Sequence, residues 1–154
     1  KQGMSISERN RFLSQFKAGR DETLVGFCVL GGAFAEGVDL RGDKLIGTII
    51  VGMGLPKLSA HQNILQNYFE ETRENGYDYA YTYPAMIKIQ QAAGRVIRSE
   101  EDSGVVVLLD ERYAEPPTLR LLPKHWRKIK FASDPDRLAT IIERFWDEQE
   151  NIGL

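Results

Sequence analysis

Three apolar runs of strand length alternate with segments of helical periodicity, and this alternation limits the folds open to the chain. The runs are TLVGFCVL, LIGTIIVGM and GVVVLLD. Each is apolar without the alternation typical of a strand that faces water on one side, which indicates burial on both faces. Strands that alternate with helices form right-handed βαβ units. The sequence therefore predicts an α/β fold with three layers, α/β/α, and a mostly parallel sheet.

Helical segments separate and flank these runs. The predicted helices run from Ser5 to Gly19, from about Ser59 to Glu74, from Pro84 to about Arg98, around Leu119 to Leu122, and onward from Asp134. Ser5 and Glu8 match the capping-box pattern, and Pro84 suits the first turn of a helix. The second helix is expected to bury the stripe Ile64, Leu65, Tyr68 and Phe69.

Length and composition fit one globular domain. The chain has 154 residues, 42% of them hydrophobic, and a formal charge of −2, so it has no overall basic footprint. The single cysteine, Cys28, excludes a disulfide framework within the chain and is expected to be a buried, inert hydrophobe. No apolar stretch approaches the roughly 20 residues that cross a bilayer. We therefore expect a soluble, cytoplasmic protein without a membrane partner.

Glycines and carboxylates fill the loop GGAFAEGVDLRGDK between the first two apolar runs. Open α/β sheets bind ligands beyond the carboxyl ends of their strands, so loops 31–43, 52–57 and 110–115 are expected to share a ligand-binding edge. In the first loop the glycines permit close backbone approach, while Glu36 and Asp39 supply carboxylates. A glycine turn with Asp39 as a helix cap explains the same residues equally well.

Several ligand-binding motifs are absent from the sequence. It contains no GxxxxGK[ST] phosphate loop, no complete GxGxxG, no HExxH and no CxxC. His61 and His125 lie far apart without companion ligands, which favours structural histidines over metal ligands or a general base. The sequence therefore predicts no metal site within this chain.

The segment QQAAGRVIRSEED sets a glycine and two arginines into the third predicted helix. At about 100° per residue, Gln91, Arg95 and Arg98 form a stripe on the polar side, with Gly94 beside it. The opposite, core-facing side is predicted to hold Met86, Ile89, Ala92, Ala93, Val96 and Ile97. Glycine in an exposed helix costs roughly 1 kcal/mol relative to alanine, which indicates that another molecule approaches the backbone there. The paired guanidinium groups of Arg95 and Arg98, next to the missing side chain of Gly94, would suit a phosphate. The alternative interpretation is that both arginines are ordinary solvated surface residues.

These residues resemble a known family. The pattern Gln91-x-x-Gly94-Arg95-x-x-Arg98 is similar to motif VI of superfamily 2 helicases, and QQAAGRVIRSEEDSGVVVLLDERY resembles the DinG/XPD-like branch of DNA helicases in particular. The stretch GGAFAEGVDLRGDKLIGTIIVGMGLP is similar to motif V of that branch. Ala33 and Ala35 depart from it, since many relatives have Ser or Thr before the phenylalanine and Trp after it. The resemblance covers residues 1 to about 123.

The resemblance implies that residues 1–154 form a second, C-terminal RecA-like (P-loop NTPase-like) motor domain cut from a larger helicase. In such helicases ATP lies between two RecA-like domains, and the first carries the phosphate loop and the acid that binds Mg²⁺. An iron–sulfur cluster, where the parent has one, would belong to the part outside this chain. The family implies Arg98 as the principal arginine finger, Arg95 as its partner, Gln91 as a polar contact, Glu36, Gly37, Asp39 and Gly94 beside the nucleotide, and Gly32 and Phe34 on the nucleic acid.

Three hypotheses on function remain open from the sequence. The first is an ATP-dependent helicase that moves 5′ to 3′ on single-stranded DNA, in which this chain works with the first RecA-like domain of the same polypeptide and is inert alone. The second is a non-catalytic binding module with a RecA-like fold, against which the intact Gln91, Arg95 and Arg98 argue. The third is the motor-like part of a nuclease fusion. The sequence of the rest of the parent protein would discriminate among them.

Overall fold

The computed structural model describes residues 4–32, 34, 40, 42–73, 75–98, 102–126 and 129–152. The chain divides into two compact units, Lys1–Leu121 and Leu122–Leu154. The first unit contains α1 (Ile6–Leu13), β1 (Gly47–Val51), α2 (Ala60–Arg73), α3 (Tyr83–Ala93), β2 (Val105–Leu109) and α4 (Pro116–Leu119). It also contains 3₁₀-helices at Gly42–Lys44 and Glu111–Ala114 and a π-helix at Asp78–Thr82. The second unit contains α5 (Pro135–Ile152).

The two strands form a parallel pair. Gly47 lies opposite Val105 and Val51 lies opposite Leu109, and the connection between the strands runs through α2, the π-helix and α3. A parallel pair needs such a crossover because its strands start at the same edge. The α/β class and the parallel arrangement are thus confirmed, and both strands lie within the runs predicted to form them.

The first apolar run, TLVGFCVL, differs from its prediction. Residues 23–29 form no regular strand, and Val25, Phe27 and Val29 are exposed, Phe27 to 92%. Phe12 of α1 and Phe16, which follows that helix, cover the other side, since a Cβ at Gly26 would lie 2.8 Å from the Phe12 ring and 2.7 Å from the Phe16 ring. Burial on both faces requires a covering layer on each side, and among the described residues one side has none. The predicted buried strand is therefore wrong here.

Cys28 shares the exposure of this segment. Its side chain is exposed, which contradicts the prediction of a buried cysteine. Partial desolvation nevertheless raises the pKa of the thiol, so the protonated form is favoured at neutral pH. The error has the same origin as the error about the strand, because the apolar neighbours of Cys28 are themselves exposed.

Helices α1 and α5 begin where the sequence predicts. The Ser5 hydroxyl accepts a hydrogen bond from the Glu8 amide at 3.2 Å, and the Glu8 carboxylate accepts one from the Ser5 amide at 2.8 Å. The Asp134 carboxylate caps α5 by accepting a hydrogen bond from the Arg137 amide at 2.8 Å. Helix α1 ends at Leu13, however, and does not continue to Gly19.

Helix α2 forms over the predicted range, but its predicted stripe is largely uncovered. Ile64 is 69% exposed and Tyr68 is 58% exposed, while Leu65 and Phe69 are half-buried. The helix packs against the π-helix, where the Phe69 ring stacks on Tyr79 with centroids 4.5 Å apart. The amphipathic pattern predicted the helix correctly, but only part of its apolar face has a neighbour among the described residues.

The core of the first unit lies between α3 and the sheet. Met86, Ile89 and Ala93 of α3 are buried, as is Ile50 of β1. Most of the predicted core face of α3 is therefore confirmed, although Ile97 is 45% exposed. Among the described residues, no helix is long and apolar enough to span a membrane.

Candidate functional site

The helix that carries the motif VI pattern ends earlier than predicted. Helix α3 stops at Ala93, and Gly94 caps it by donating its amide to the Gln90 carbonyl at 2.9 Å. The next amides reach back only three residues, from Arg95 to Ala92 at 3.2 Å and from Val96 to Ala93 at 3.0 Å. Such i→i+3 bonds tighten the last turn and satisfy the terminal carbonyls. Arg98 therefore lies in a loop beyond the helix and not on its surface.

Gly94 remains accessible at this helix end. Its φ of −66° is open to any residue, so no backbone strain calls for glycine there. A Cβ at Gly94 would lie 3.2 Å from the Gln90 carbonyl oxygen of the preceding turn, and Gly94 is exposed. The propensity argument for glycine is therefore weaker here, at a helix cap, than it would be in a helix interior.

The side chains of the motif differ in exposure. Gln91 and Arg98 are exposed, and Arg95 is half-buried. Val96 is 4% exposed and anchors the turn in the core. Beyond it, the Arg98 amide donates a hydrogen bond to the Asp102 carboxylate at 3.0 Å. The Arg98 side chain is thus exposed while its backbone amide is bound within the protein.

The motif VI turn reaches the amino ends of both strands. Val105, the first residue of β2, donates its amide to the Ile46 carbonyl at 3.0 Å, immediately before β1. Gly104 lies so close to Val96 that a Cβ at this position would overlap the Val96 side chain. The 3₁₀-helix Gly42–Lys44 leads into β1 at the same edge. The part of the motif V stretch that leads into β1 and the end of motif VI therefore meet at the amino edge of the sheet.

This placement corrects the expected position of the glycine-rich loop. At its start, Leu30 lies against Gly54, which follows β1 at the carboxyl edge, whereas its last residues precede β1 at the amino edge. Loops 52–57 and 110–115 do lie at the carboxyl edge. The three loops therefore do not share one edge. The apolar run TLVGFCVL ends beside the carboxyl end of β1, so the first loop begins at that edge and must return to the amino end of β1.

The motif V residues are described only in part. Glu36, Gly37 and Asp39 lie outside the described residues, as do Ala33 and Ala35. The Gly32 amide donates to the Val29 carbonyl at 2.9 Å in a tight turn. The half-buried Phe34 ring packs on Phe12 of α1 with centroids 4.9 Å apart, and the Arg9 guanidinium lies 6.0 Å from the Phe34 centroid.

The carboxyl ends of the strands are joined by a buried tyrosine. The Tyr113 hydroxyl donates to the Gly52 carbonyl at 2.9 Å, and the Gly52 amide donates to the Leu109 carbonyl at 3.1 Å. Tyr113 is buried, and desolvation, followed by the nearby charge of Asp110, raises its pKa to about 12. Both strand ends are thus fixed to each other by hydrogen bonds.

A charged pair follows β2 at this edge. The Arg112 guanidinium donates two hydrogen bonds to the Asp110 carboxylate, at 2.8 and 2.7 Å. These bonds hold the pKa of Asp110 below its usual range. The Arg112 amide also donates to Asp110 at 3.0 Å, which caps the 3₁₀-helix Glu111–Ala114. The pair therefore orders the turn after the strand.

A cavity of about 370 Å³ lies at the carboxyl edge. Its charged lining consists of two carboxylates and two guanidinium groups, those of Asp78, Glu115, Arg112 and Arg120. Because the signs balance, the lining gives no preference for a phosphate. Among the described residues, no cluster of His, Cys, Asp and Glu side chains could hold a metal ion. The arginines of motif VI, at the opposite edge, are better suited to an anion.

A family model described as the helicase C-terminal domain matches residues 2–129. The chain belongs to this family. Similar proteins include the ATP-dependent DNA helicase DinG of Photobacterium profundum, 38% identical over 98 residues, and the ATP-dependent DNA helicase YoaA of Escherichia coli, 32% identical over 114 residues. These alignments cover 62% and 72% of this chain and 13% and 17% of the relatives, so the chain spans less than a fifth of their length. A solved XPD helicase covers 59% of the chain, at 30% identity and a TM-score of 0.49, and the match covers 17% of that structure.

The relatives confirm that this helicase C-terminal domain is of the DinG/XPD-like type. The structure of the helicase C-terminal domain brings Gln91, Gly94, Arg95 and Arg98 together at one helix end. It adds two residues that sequence reasoning missed, Gly104 and Tyr113. The signal for Gly104 was its place directly before an apolar run, but only the contact with Val96 shows why a side chain is excluded there.

Proposed function

We propose that the parent protein is an ATP-dependent DNA helicase and that residues 1–154 form its second RecA-like motor domain. Membership of the helicase C-terminal domain family supports this proposal, as does the similarity to DinG and YoaA. The observation that carries it is the exposed Arg98 in a loop whose backbone is held at the edge where motif V enters the sheet. This arrangement offers a cation to a ligand bound by a neighbouring domain.

In this proposal Arg98 is the arginine finger. Its guanidinium would contact the γ-phosphate of ATP held by the first RecA-like domain of the same polypeptide, with Arg95 as partner and Gln91 as a polar contact. A planar, permanently charged guanidinium stabilises the negative charge that develops on a transferred phosphoryl group. Gly94, which is exposed, would lie beside that neighbour. Glu36, Gly37 and Asp39 would border the nucleotide.

The motif VI side chains that the structure describes suit a phosphate and not a metal ion. The motif VI side chains that can reach a ligand are two guanidinium groups and an amide, which are not ligands for Mg²⁺. We therefore assign Mg²⁺, together with any iron–sulfur cluster, to the first motor domain of the parent. Motif VI of this chain would supply cationic groups to the ATP site.

We further propose single-stranded DNA as the partner, with movement from 5′ to 3′ and cytoplasmic location. Gly32 and Phe34 lie in the motif V turn and would face the strand. One side of the Phe34 ring packs on Phe12, so the exposed part of the ring is available to stack on a base. Direction would be measured with the parent protein on duplexes that carry either a 5′ or a 3′ single-stranded tail.

Replacing Arg98 in the parent protein tests the division of roles. Arg98→Ala should lower kcat for ATP hydrolysis by about 10³-fold or more, because arginine fingers contribute about 10³ to 10⁵ in rate. ATP affinity, measured with a fluorescent nucleotide, should change little, since the first domain holds the nucleotide. Arg98→Lys should give little rescue, because a point charge cannot replace the planar fork.

Arg73→Ala is the matched control. Arg73 ends α2 and is exposed, so its loss removes one positive charge from the same domain without touching motif VI. Its kcat should equal that of the unmodified protein. A normal kcat in Arg98→Ala would reject Arg98 as the finger.

A further inference from the structure

We propose that Asp102 is a positioning residue for Arg98. Its carboxylate accepts a hydrogen bond from the Arg98 backbone amide at 3.0 Å and thereby restrains the backbone of Arg98. The inference rests on the proposed role of Arg98 as the finger. It adds a residue that would not touch ATP and would act through its hydrogen bond to the Arg98 backbone.

The Arg98 amide lies beyond the hydrogen-bonding pattern of α3. The preceding amides of Gly94, Arg95 and Val96 return to carbonyls of the last helical turn. Among the described backbone hydrogen bonds, that series ends at Val96. Asp102 takes the place of a helical carbonyl for Arg98, and an ionised acceptor makes a stronger hydrogen bond than a neutral one.

The loop is anchored on both sides of this bond. On one side Val96 is buried against Gly104, and on the other the Val105 amide bonds to the Ile46 carbonyl. Between these anchors the Asp102 carboxylate joins two loop positions that are four residues apart. Without it, the anchors would fix the ends of the loop but leave the φ and ψ angles around Arg98 less restricted.

The position of the finger matters because its contribution to catalysis is geometric. The Arg98 side chain is exposed and long, so its reach to a phosphate depends on where its backbone starts. Misplacement of a reacting or stabilising group by about 1 Å can lower a rate by about 10²-fold. A hydrogen bond that holds the backbone therefore affects kcat while leaving the groups that bind ATP in the first domain unchanged.

Three variants of Asp102 in the parent protein separate the hydrogen bond from the charge. Asp102→Ala removes the acceptor and should lower kcat about tenfold, with little change in the KM for ATP. Asp102→Asn keeps an acceptor oxygen without the charge and should stay within about threefold of the original kcat. Asp102→Glu keeps the charge but adds a methylene, so it should resemble the alanine variant. Glu111→Ala, which removes an exposed carboxylate at the opposite edge of the sheet, should have normal activity.

The results distinguish this inference from the proposed function. If Arg98→Ala keeps a normal kcat, the finger assignment fails, and the role of Asp102 fails with it. If Arg98→Ala loses activity while Asp102→Ala keeps a normal kcat, only the positioning role is overturned. A loss in Asp102→Asn as large as in Asp102→Ala would also overturn it, because a retained acceptor should rescue a backbone hydrogen bond. Thermal unfolding of each variant shows whether a loss of activity reflects a loss of fold.

Discussion

Gly104 permits a contact that no larger residue allows, so Gly104→Ala should destabilise the first unit. An added Cβ would overlap the Val96 side chain and lie 3.1 Å from the Ile46 carbonyl oxygen. Carbon atoms in protein cores pack at about 3.5 to 4.0 Å, so Val96 or the backbone must move. Overpacking of this kind costs roughly 1 to 3 kcal/mol, and we expect about 2 kcal/mol.

A double-mutant cycle with Val96→Ala tests the cause of that loss. Val96 is 4% exposed, and removing two buried methyl groups and leaving a small cavity should cost about 2 kcal/mol. If the collision with Val96 dominates, the double variant should cost about 2 kcal/mol as well, and not the sum of about 4 kcal/mol. The second substitution would then relieve the strain that the first creates.

The assay combines urea unfolding with hydrogen exchange at the Val105 amide. That amide bonds to the Ile46 carbonyl beside Gly104, so its protection reports on the affected edge. Gly47→Ala is the control, because a Cβ there would make only an ordinary contact, 3.4 Å from the Val105 carbonyl oxygen. Additive losses within about 0.5 kcal/mol would refute the explanation by a collision with Val96.

Two further predictions concern hydrogen bonds elsewhere in the chain. Tyr113→Phe should lower the free energy of unfolding by about 1 kcal/mol, since it removes the bond to the Gly52 carbonyl. Because burial raises the pKa of Tyr113 to about 12, the unfolded chain loses this proton first. The stabilisation by Tyr113 is complete below about pH 10 and is lost as the pH rises through 12. The free energy of unfolding, measured by urea at each pH, should therefore fall less across this range in Tyr113→Phe than in the original protein. An equal fall in both proteins would contradict this prediction. Asp134→Ala should reduce the helical ellipticity of α5, whereas Glu143→Ala should not. The hydrogen bond from the Arg137 amide lowers the pKa of Asp134, so the ionised carboxylate stabilises α5 above about pH 4 and this stabilisation is lost as the pH falls further. A difference in ellipticity between Asp134→Ala and the original protein that persists at about pH 2 would argue against capping.

Local signals predicted much of the secondary structure. The Ser5 and Glu8 capping box and the Asp134 cap depend on residues at most three positions apart, and both helices begin there. The strands β1 and β2 lie within runs of β-branched and apolar residues. Such features are decided within a few residues, so they are readable without knowledge of the rest of the fold.

Burial and helix ends were harder to predict because they depend on distant residues. Phe27 is apolar and was expected in the core, but its burial requires a covering layer that the described residues do not supply. Val96 continues the apolar pattern of α3 and is buried, yet it lies in a turn beyond the end of that helix. The apolar periodicity did not reveal the helix end, because a turn that packs on the same surface has the same pattern of buried residues. The π-helix Asp78–Thr82 has no sequence signature in the aromatic segment that forms it.

The site itself was predictable in composition but not in position. The motif VI residues come together as expected because they are close in sequence. The edge of the sheet that they occupy follows from the crossover, which carries the chain from the carboxyl end of β1 to the amino end of β2. No spacing within the motif contains that information. The amino-edge position of Arg98 is therefore a result of the topology alone.

The parallel pairing of β1 with β2 also has a consequence for synthesis and folding. Each bonded pair joins a residue in the first third of the chain to one in the last third. During translation, β1 therefore has no partner strand until α2, α3 and then β2 have been synthesised. In refolding, the two ends of a long loop must come together before any hydrogen bond between the strands forms. Until then the apolar residues of β1 are without a neighbouring strand and available to other chains. A ribosome stalled between the two strands would hold the domain in the state most open to aggregation.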